Sequence, residues 1–265
     1  MQARIDRRVD RVVTSGTFTL DGGTWDVQNN IWLLGDQNDV LVIDAAHDAD
    51  AIMAAVDGRR VVGILCTHGH NDHIDTAPEL ADRTGAPILL HPADAPLWGM
   101  THPTRYPDDD LRDGQVITMD GIEATVLHTP GHTPGAVCVS VPALGVVFTG
   151  DTLFAGGPGA TGRSFSDFPT IIDSISRRLL TLPAATVVHA GPVTTPPSAP
   201  RRRSWTTGWS AATERSGSSR AAPTSRRQAG GSRRRAPSSV VSSSMAASSG
   251  SRTTGGGADG SIGSP

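Results

Sequence analysis

Lysine is absent from this chain of 265 residues, so all 23 of its basic residues are arginine. That bias is typical of a GC-rich genome and by itself indicates no binding function. Cysteine is scarce as well, because Cys66 and Cys138 are the only two and both lie in apolar runs, where we expect small buried residues. Two such cysteines exclude a disulfide framework, which fits a protein of the reducing cytoplasm.

Long apolar runs are also missing. No stretch of the sequence is long and apolar enough to span a bilayer. The charged N-terminus, from Met1 to Arg11, lacks the apolar core of a signal peptide. We therefore expect a cytoplasmic protein that has no membrane partner.

The net charge of −3 hides an asymmetry between two parts of the chain. Residues 1–191 hold 12 arginines and 24 acidic residues, which gives −12, whereas residues 192–265 hold 11 arginines against Glu214 and Asp259, which gives +9. The second part contains no Leu, Phe or Tyr and is mostly Ser, Gly, Ala, Pro, Thr and Arg. Such a composition cannot bury enough apolar surface to offset chain entropy. We predict a folded domain over 1–191 and a disordered, low-complexity basic tail over 192–265.

A basic tail can also serve as an arm that binds nucleic acid or a membrane surface, with Arg201–Arg203 and Arg233–Arg235 as its contacts. Its only aromatic residues, however, are Trp205 and Trp209, and lysine is absent. We therefore expect no nucleic-acid partner.

Short apolar runs, turns and amphipathic segments alternate between residues 10 and 191. Val12–Leu20 ends at a turn over Asp21–Gly23, and the runs Ile31–Leu34 and Val40–Ile43 indicate a hairpin. Early hairpins followed by strand–helix units predict an α/β fold in which helices cover packed sheets. The other predicted strands are Val61–Cys66, Pro87–Leu90, Val116–Met119, Ala124–Leu127, Val137–Val141, Val146–Thr149 and Thr186–Val188, and the predicted helices are Asp48–Val56, Thr76–Thr84 and Ile171–Leu180.

The segment Thr67–His73 reads Thr-His-Gly-His-Asn-Asp-His and directly follows the predicted strand Val61–Cys66. Side chains just beyond the carboxyl end of a strand are where open sheets usually place their chemistry. Histidine is the commonest protein ligand for zinc-like ions, and a carboxylate completes such sites. The segment therefore predicts a metal site whose ligands are His68, His70, Asp72 and His73.

Two further candidate ligands follow other predicted strands. His132 lies on the Pro/Gly-rich turn Thr129–Gly135, and Asp151 follows Gly150 at the end of Val146–Thr149. Ligands that come from several strand ends are held rigidly, as a metal site requires. The remaining histidines His47, His91, His102 and His128 lack this spacing, so we expect structural roles for them, with His128 close enough to His132 to support it.

In these three motifs the chain resembles the metallo-β-lactamase-fold hydrolases, and among them the glyoxalase-II-like (hydroxyacylglutathione hydrolase-like) thioester hydrolases. The resemblance covers residues 10–191 and implies an αββα sandwich that holds two metal ions, usually Zn²⁺. It implies that His68, His70 and His132 hold the first ion, that Asp72 and His73 hold the second, and that Asp151 bridges the two.

The resemblance also implies the chemistry. Paired cations lower the pKa of a shared water, which attacks the acyl carbon of a small thioester. Asp72 is the expected catalytic residue, because its carboxylate can orient that water or take its proton. A thiolate leaves readily, so no separate general acid is required.

A glycine-rich segment, Gly156–Ser164, follows Asp151 but lacks the Gly-Lys-Ser/Thr ending of a phosphate-binding loop. In the glyoxalase-II-like family, a Gly-Arg or Gly-Lys here contacts the thiol part of the substrate. The resemblance therefore makes Arg163 a candidate for binding a substrate carboxylate. The alternative is a surface arginine on a structural loop.

The family's last ligand to the second metal, a histidine in a Gly-His-Gly turn, has no counterpart here, because Pro192 stands at that position. His189 lies three residues earlier and needs a rearranged loop to replace it. One base inserted in the codon of Pro192 (CCN to CAC) permits the reading His-Gly-Asp-Asp-Thr-Thr-Ile-Gly-Ala, which is close to the family's usual ending. We hypothesise that residues 192–265 are a frameshifted reading of the gene's end.

The sequence thus favours a metal-dependent hydrolase that acts on a small-molecule thioester. Two alternatives stay open. One is a persulfide dioxygenase on the same fold, whose single Fe²⁺ site tolerates the loss at Pro192. The other is an impaired product of a frameshifted gene, in which the second metal lacks a ligand.

Overall fold

The computed structural model describes residues 8–119 and 121–191. The predicted tail over 192–265, Pro192 and the frameshift hypothesis lie outside the described residues. The predicted boundary between a folded domain and a basic tail therefore stays a prediction.

A six-stranded sheet forms the first layer of strands. Its first two pairings are antiparallel hairpins and its last three are parallel, because helices carry the chain across from strand to strand. In spatial order, which is also chain order, its strands are β1 (Arg8–Leu20), β2 (Gly23–Gly35), β3 (Asp39–Ile43), β4 (Arg60–Leu65), β5 (Ile88–Leu90) and β6 (Asp109–Asp110).

The second sheet takes up the chain that follows. Its strands are β7 (Val116–Met119), β8 (Ile122–His128), β9 (Val137–Val141), β10 (Val146–Gly150) and β13 (Val187–Ala190), and β11 (Leu153–Phe154) and β12 (Gly157–Pro158) form a small separate ribbon. The spatial order is β13-β10-β9-β8-β7, with β10 and β13 parallel and the other pairs antiparallel.

Five short helices complete the described part of the chain: α1 (Ala49–Val56), α2 (Asn71–Ile74), α3 (Ala77–Thr84), α4 (Ala95–Thr101) and α5 (Phe168–Ser174). A π-helical segment, Ile175–Leu179, extends α5. Asp48 and Asp167 cap α1 and α5, since their side chains accept hydrogen bonds from backbone N–H groups in the first turns. Over the described ranges, no helix has the length and apolar character needed to cross a membrane.

Alternation along the strands explains how the layers pack. In β2, Ile31 and Leu33 belong to the apolar cluster that the first group of helices covers, whereas Trp32 and Leu34 belong to the cluster between the two sheets. In β9 and α5, Cys138 and Ile171 form a third cluster on the outer face of the second sheet. Helix, sheet, sheet and helix therefore stack in that order, which confirms the predicted αββα sandwich.

The predicted strands and helices are confirmed in type, but the last helix differs in extent, and several short elements, α2, α4, β6, β11 and β12, are absent from the prediction. The last helix begins at Phe168 and turns π-helical at Ile175, a change that leaves no periodic trace in sequence. Helix α4 was not predicted, because Pro96 and Gly99 obscure its pattern, yet it buries Leu97 and Trp98.

Candidate metal centre

Strand ends from both sheets deliver the predicted ligands to one edge of the sandwich. The first sheet contributes the loop after β4 and the helix α2 that follows this loop. The second sheet contributes the turn after β8 and the residue that follows β10. The side chains delivered in this way are His68, His70, Asp72, His73, His132 and Asp151.

Three histidines form the first compact group of ligand atoms. Nδ1 of His70 lies 3.1 Å from Nε2 of His68 and 3.1 Å from Nε2 of His132. Nitrogen ligands on a tetrahedral zinc ion are separated by about 3.3 Å, given Zn–N distances of about 2.0–2.1 Å. Two of the three nitrogen pairs therefore have the spacing of ligands around one ion, and the third pair lies within 4.8 Å.

Asp151 lies between this group and a second one. Its Oδ2 lies 3.6 Å from Nε2 of His132, and its Oδ1 lies 3.1 Å from Nε2 of His73. Ligand atoms of His68, His73 and Asp151 lie within 4.8 Å of one another. Asp72 is near but less compactly placed, with its Oδ2 3.7 Å from Nε2 of His73. A carboxylate that faces both groups has the placement of a bridging ligand.

A buried carboxylate that sequence reasoning missed orients His73. Oδ2 of Asp44 lies 3.0 Å from Nδ1 of His73 and accepts a hydrogen bond from Oγ1 of Thr67 at 2.9 Å, while its Oδ1 accepts from the Thr67 backbone N–H at 2.7 Å. Asp44 ends β3 with a φ of 62°, a left-handed conformation that costs energy in a non-glycine residue. The contact keeps the proton of a neutral His73 on Nδ1 and leaves Nε2 free to bind a metal.

Other outer contacts fix His132 and His68 in the same way. Nδ1 of His132 lies 2.8 Å from the carbonyl oxygen of Ala160, which can only accept a hydrogen bond. Nδ1 of His68 lies 3.2 Å from the hydroxyl of Thr67, whose own proton is committed to Asp44. Both rings therefore present an unprotonated Nε2 to the group.

Burial and neighbouring charges prepare the site for a cation. Burial, reinforced by the other histidines, lowers the pKa of His68 and lowers that of His70 to about 3, so both stay neutral ligands. Burial also opposes a charge on His73, but Asp151, Asp72 and Asp44 outweigh it and raise its pKa. The negative potential that favours a proton on His73 equally favours a metal cation there.

The residues present fit a divalent metal. Oδ1 of Asp151, which faces Nε2 of His73, is buried and has no hydrogen-bond partner among residues 8–119 and 121–191. Imidazole nitrogens with carboxylate oxygens suit zinc and iron, whose sites are often built from this donor set. The cluster therefore has the chemistry of a divalent-metal site, and the donor set leaves the choice between zinc and iron open.

Asn29 is a second contributor that sequence reasoning missed. Its Nδ2 donates to the backbone carbonyl of Asp72 at 2.8 Å and to the Asp72 Oδ2 at 3.1 Å, from a position on β2 with no exposed surface. A polar residue buried on a strand usually has a specific partner. A polar residue just before the apolar run Ile31–Leu34 is the signal in the sequence that could have indicated this role.

A cavity of about 150 Å³ opens beside the ligands. Apolar side chains of the β1–β2 hairpin, including Phe18 and Leu20, form one wall, and Arg163 forms another. The guanidinium of Arg163 lies 3.9 Å from the ring centre of Trp25, and the Ser164 backbone N–H donates to the Asp21 carboxylate at 3.1 Å. The hairpin tip and the Arg163 loop therefore enclose the cavity together, and Arg163 faces the site.

The end of the described chain lies against the second ligand group. A Cβ built on Gly191 meets Cε1 of His73 at 2.7 Å and Oδ1 of Asp151 at 2.9 Å. Residue 192, the expected ligand position, follows directly. His189 instead packs against Trp32, with tilted rings 4.3 Å apart between centroids, and stacks on Phe148, inside the layer between the sheets. The described structure therefore places His189 outside both ligand groups.

The four histidines predicted to be structural also lie outside both groups. His47 pairs with Asp75 at 3.0 Å, and Nε2 of His102 lies 3.0 Å from the Ile74 carbonyl oxygen. His128 contacts the carbonyl oxygen of Pro134 at 2.9 Å and stacks on His91. His128 thus supports the turn that carries His132.

Comparison with known proteins decides the family. Residues 24–191 match the Metallo-beta-lactamase superfamily. The chain belongs to this superfamily. Hydroxyacylglutathione hydrolase GloC of Haemophilus influenzae is 30% identical over 179 residues, which are 62% of this chain and 84% of that protein. Among solved structures, TTHA1623 in a di-iron-bound form is 30% identical with a TM-score of 0.57, covering 65% of this chain and 90% of that one.

A further structure, ETHE1 from Myxococcus xanthus, is 26% identical with a TM-score of 0.56, covering 71% of this chain and 78% of that one. The chain is therefore a metallo-β-lactamase-fold hydrolase related to glyoxalase II enzymes, with a His/Asp cluster suited to a divalent metal.

Proposed function

We propose that this metallo-β-lactamase superfamily member hydrolyses small thioesters whose thiol part carries a carboxylate. One observation carries the proposal: the two ligand groups, which have His68 in common and are linked by Asp151, open into a cavity that Arg163 also lines. The similarity to hydroxyacylglutathione hydrolase GloC supports the same substrate class.

In this proposal His68, His70 and His132 would hold one divalent ion, Asp72 and His73 would hold a second, and Asp151 would be a ligand shared by both. Bound ions supply Lewis acidity that lowers the pKa of a water and polarises an acyl carbonyl. The carboxylate of Asp72 orients the attacking water or takes its proton, and Asn29 holds that carboxylate in place through the contact at 3.1 Å. The apolar hairpin wall limits access of bulk water to the acyl carbon.

Arg163 binds the carboxylate of the leaving thiol in this proposal. Stacking on Trp25 fixes the plane of the guanidinium, so its N–H groups are ready for a bidentate contact. The thiolate leaves without help from a general acid. Among the described residues that line the cavity, the acidic side chains are Asp72 and Asp151, and both already have other roles in this proposal.

Substitution of Arg163 by alanine tests substrate binding. A charged hydrogen bond is worth about 1.5–3 kcal/mol, so KM for a carboxylate-bearing thioester is expected to rise roughly 10- to 100-fold with kcat nearly unchanged. KM for a thioester of a neutral thiol is expected to stay the same. Arg105→Ala, which removes an exposed arginine paired with Asp82, is the matched control. Equal KM increases for both substrates would show that Arg163 only supports the loop.

One observation favours a second candidate, a mononuclear iron dioxygenase that acts on persulfides. The group of His68, His70 and His132, with Asp151 beside it, is complete without any residue after Gly191. Two histidines and a carboxylate form the usual facial site of such iron enzymes. Purified protein that contains one iron and consumes O₂ with a persulfide, but does not cleave thioesters, would favour this candidate.

A further inference from the structure

The first ligand group takes residues from both sheets, so contacts between the sheets must fix the distance between the His68–His70 loop and the His132 turn. His68 and His70 lie on the loop after β4, and His132 lies on the turn after β8. One backbone hydrogen bond joins the loops near this point, from the Val137 N–H to the Thr67 carbonyl oxygen at 2.8 Å. That bond lies at the start of β9, five residues after His132.

A buried carboxylate provides the other connection. Asp94, in the turn after β5, has no exposed surface. Its Oδ2 accepts from the Gly69 backbone N–H at 2.8 Å and from the Thr133 hydroxyl at 2.6 Å, and its Oδ1 accepts from the Gly135 backbone N–H at 2.6 Å. Gly69 lies between His68 and His70, and Thr133 follows His132. One carboxylate thus joins the chain segments that carry all three ligands.

The surrounding backbone is shaped to the carboxylate. A Cβ on Gly135 meets Cγ of Asp94 at 2.7 Å and its backbone nitrogen at 2.8 Å, so no side chain other than hydrogen fits there. A Cβ on Gly69 lies 3.0 Å from the Asp94 carbonyl oxygen and 2.9 Å from Cβ of Leu97. Both glycines therefore permit the close approach on which the hydrogen bonds depend.

Burying a charged group is costly unless it is hydrogen-bonded, and a loop that needed only packing could use an apolar side chain. A carboxylate is required where several donors must converge on two oxygens, and charge-assisted bonds fix such donors more firmly than neutral ones. The three donor residues lie next to the metal ligands in the chain. A shift of the Asp94 carboxylate would therefore change the distances between the ligand nitrogens.

We propose that Asp94 is the positioning residue that holds the His68–His70 loop and the His132 turn at metal-binding distance. This inference rests on the metal-binding part of the proposed function and adds a residue to it. Asp94 does not contact the substrate or the ion, and it acts through the three histidines.

Asp94→Asn tests the proposal in the full chain. An amide keeps the shape but turns one oxygen into a donor, which faces a backbone N–H and loses at least one of the three bonds. Changes to outer contacts of metal ligands typically cost 10- to 100-fold in affinity, so we expect Co²⁺ and Zn²⁺ to bind roughly 10- to 100-fold more weakly. Titration of the metal-free protein with Co²⁺ measures this loss and also shows a changed visible absorption spectrum.

Asp36→Asn is the matched control for general structural damage. Asp36 is likewise a buried carboxylate, and its Oδ1 accepts from two backbone N–H groups at 2.7 and 2.9 Å in the turn between β2 and β3. It lies outside both ligand groups. We expect it to lower the thermal stability of the metal-free protein while Co²⁺ affinity and spectrum stay as in the wild type.

Thr133 offers a test that does not alter the buried charge. Thr133→Val removes the hydroxyl that donates to Asp94, and Thr133→Ser retains it. Weaker Co²⁺ binding in the valine variant and recovery in the serine variant are expected. Wild-type affinity and spectrum in both Asp94→Asn and Thr133→Val would overturn the role of Asp94. Failure of the wild-type protein itself to bind Co²⁺ or Zn²⁺ would instead overturn the proposed function.

Discussion

Asp151→Ala is expected to abolish hydrolysis and to remove tight binding at both ligand groups. Its two oxygens lie 3.1 Å from Nε2 of His73 and 3.6 Å from Nε2 of His132, so this carboxylate faces ligand atoms of both groups. The expected loss of metal affinity exceeds the roughly 10- to 100-fold that outer contacts contribute, because a direct ligand and a buried negative charge disappear together. Competition with a chelator measures the loss.

Asp151→Asn separates the charge from the shape, because the amide keeps one oxygen ligand. It is expected to retain partial affinity at one group and to lose the other. Asp173→Asn is the matched control, since Asp173 is an exposed aspartate on α5 whose ion pair is with Arg177. Unchanged metal content in Asp151→Ala would contradict the assignment of Asp151 as a bridging ligand.

Pro192→His is expected to increase binding of a second divalent ion. Gly191 lies against His73 and Asp151, and residue 192 follows it directly. The proline side chain has no atom that can coordinate a metal, whereas an imidazole adds a ligand to a group that already offers His73 and Asp72. The measurement is metal content per chain after equilibration with limiting Zn²⁺, which is expected to be higher in Pro192→His because its second site has one more ligand.

A chain in which the reading frame is restored from residue 192 tests the frameshift hypothesis beside the single substitution. If the present tail is a frameshifted product, the restored chain should exceed Pro192→His in both second-metal affinity and thioester turnover. Equal turnover of the present and restored chains would contradict the hypothesis that this chain is impaired. Resequencing the gene checks the same hypothesis directly.

Most of the metal ligands could be predicted because each stands in a short motif that directly follows a predicted strand. His68, His70 and His73 stand within six positions after a buried strand, and His132 and Asp151 each follow a strand on a glycine-containing turn. The topology then brings these strand ends to one edge, as open sheets usually do. The αββα layering also followed from the hairpins and the strand–helix units.

The residues that support the ligands could not be predicted, because their roles depend on contacts between distant parts of the chain. Asp94 bonds Gly135, which is 41 residues away, and Asn29 bonds Asp72, which is 43 residues away. In the sequence Asp94 resembles an ordinary turn residue before a helix, and Asp44 resembles the end of a strand. Parallel pairing of β3 with β4 brings Asp44 to Thr67, and packing of the two sheets brings Asp94 to the His132 turn.

Metal content of the purified full chain, measured beside its turnover of an S-lactoyl thioester of an acidic thiol, tests the central claim most directly. We expect bound zinc or iron, hydrolysis that releases the free thiol, complete loss of turnover after chelation, and recovery when the metal is restored. Protein that carries its metal but cleaves no thioester, or that cleaves the thioester equally well after complete metal removal, would contradict the proposed metal-dependent thioester hydrolase.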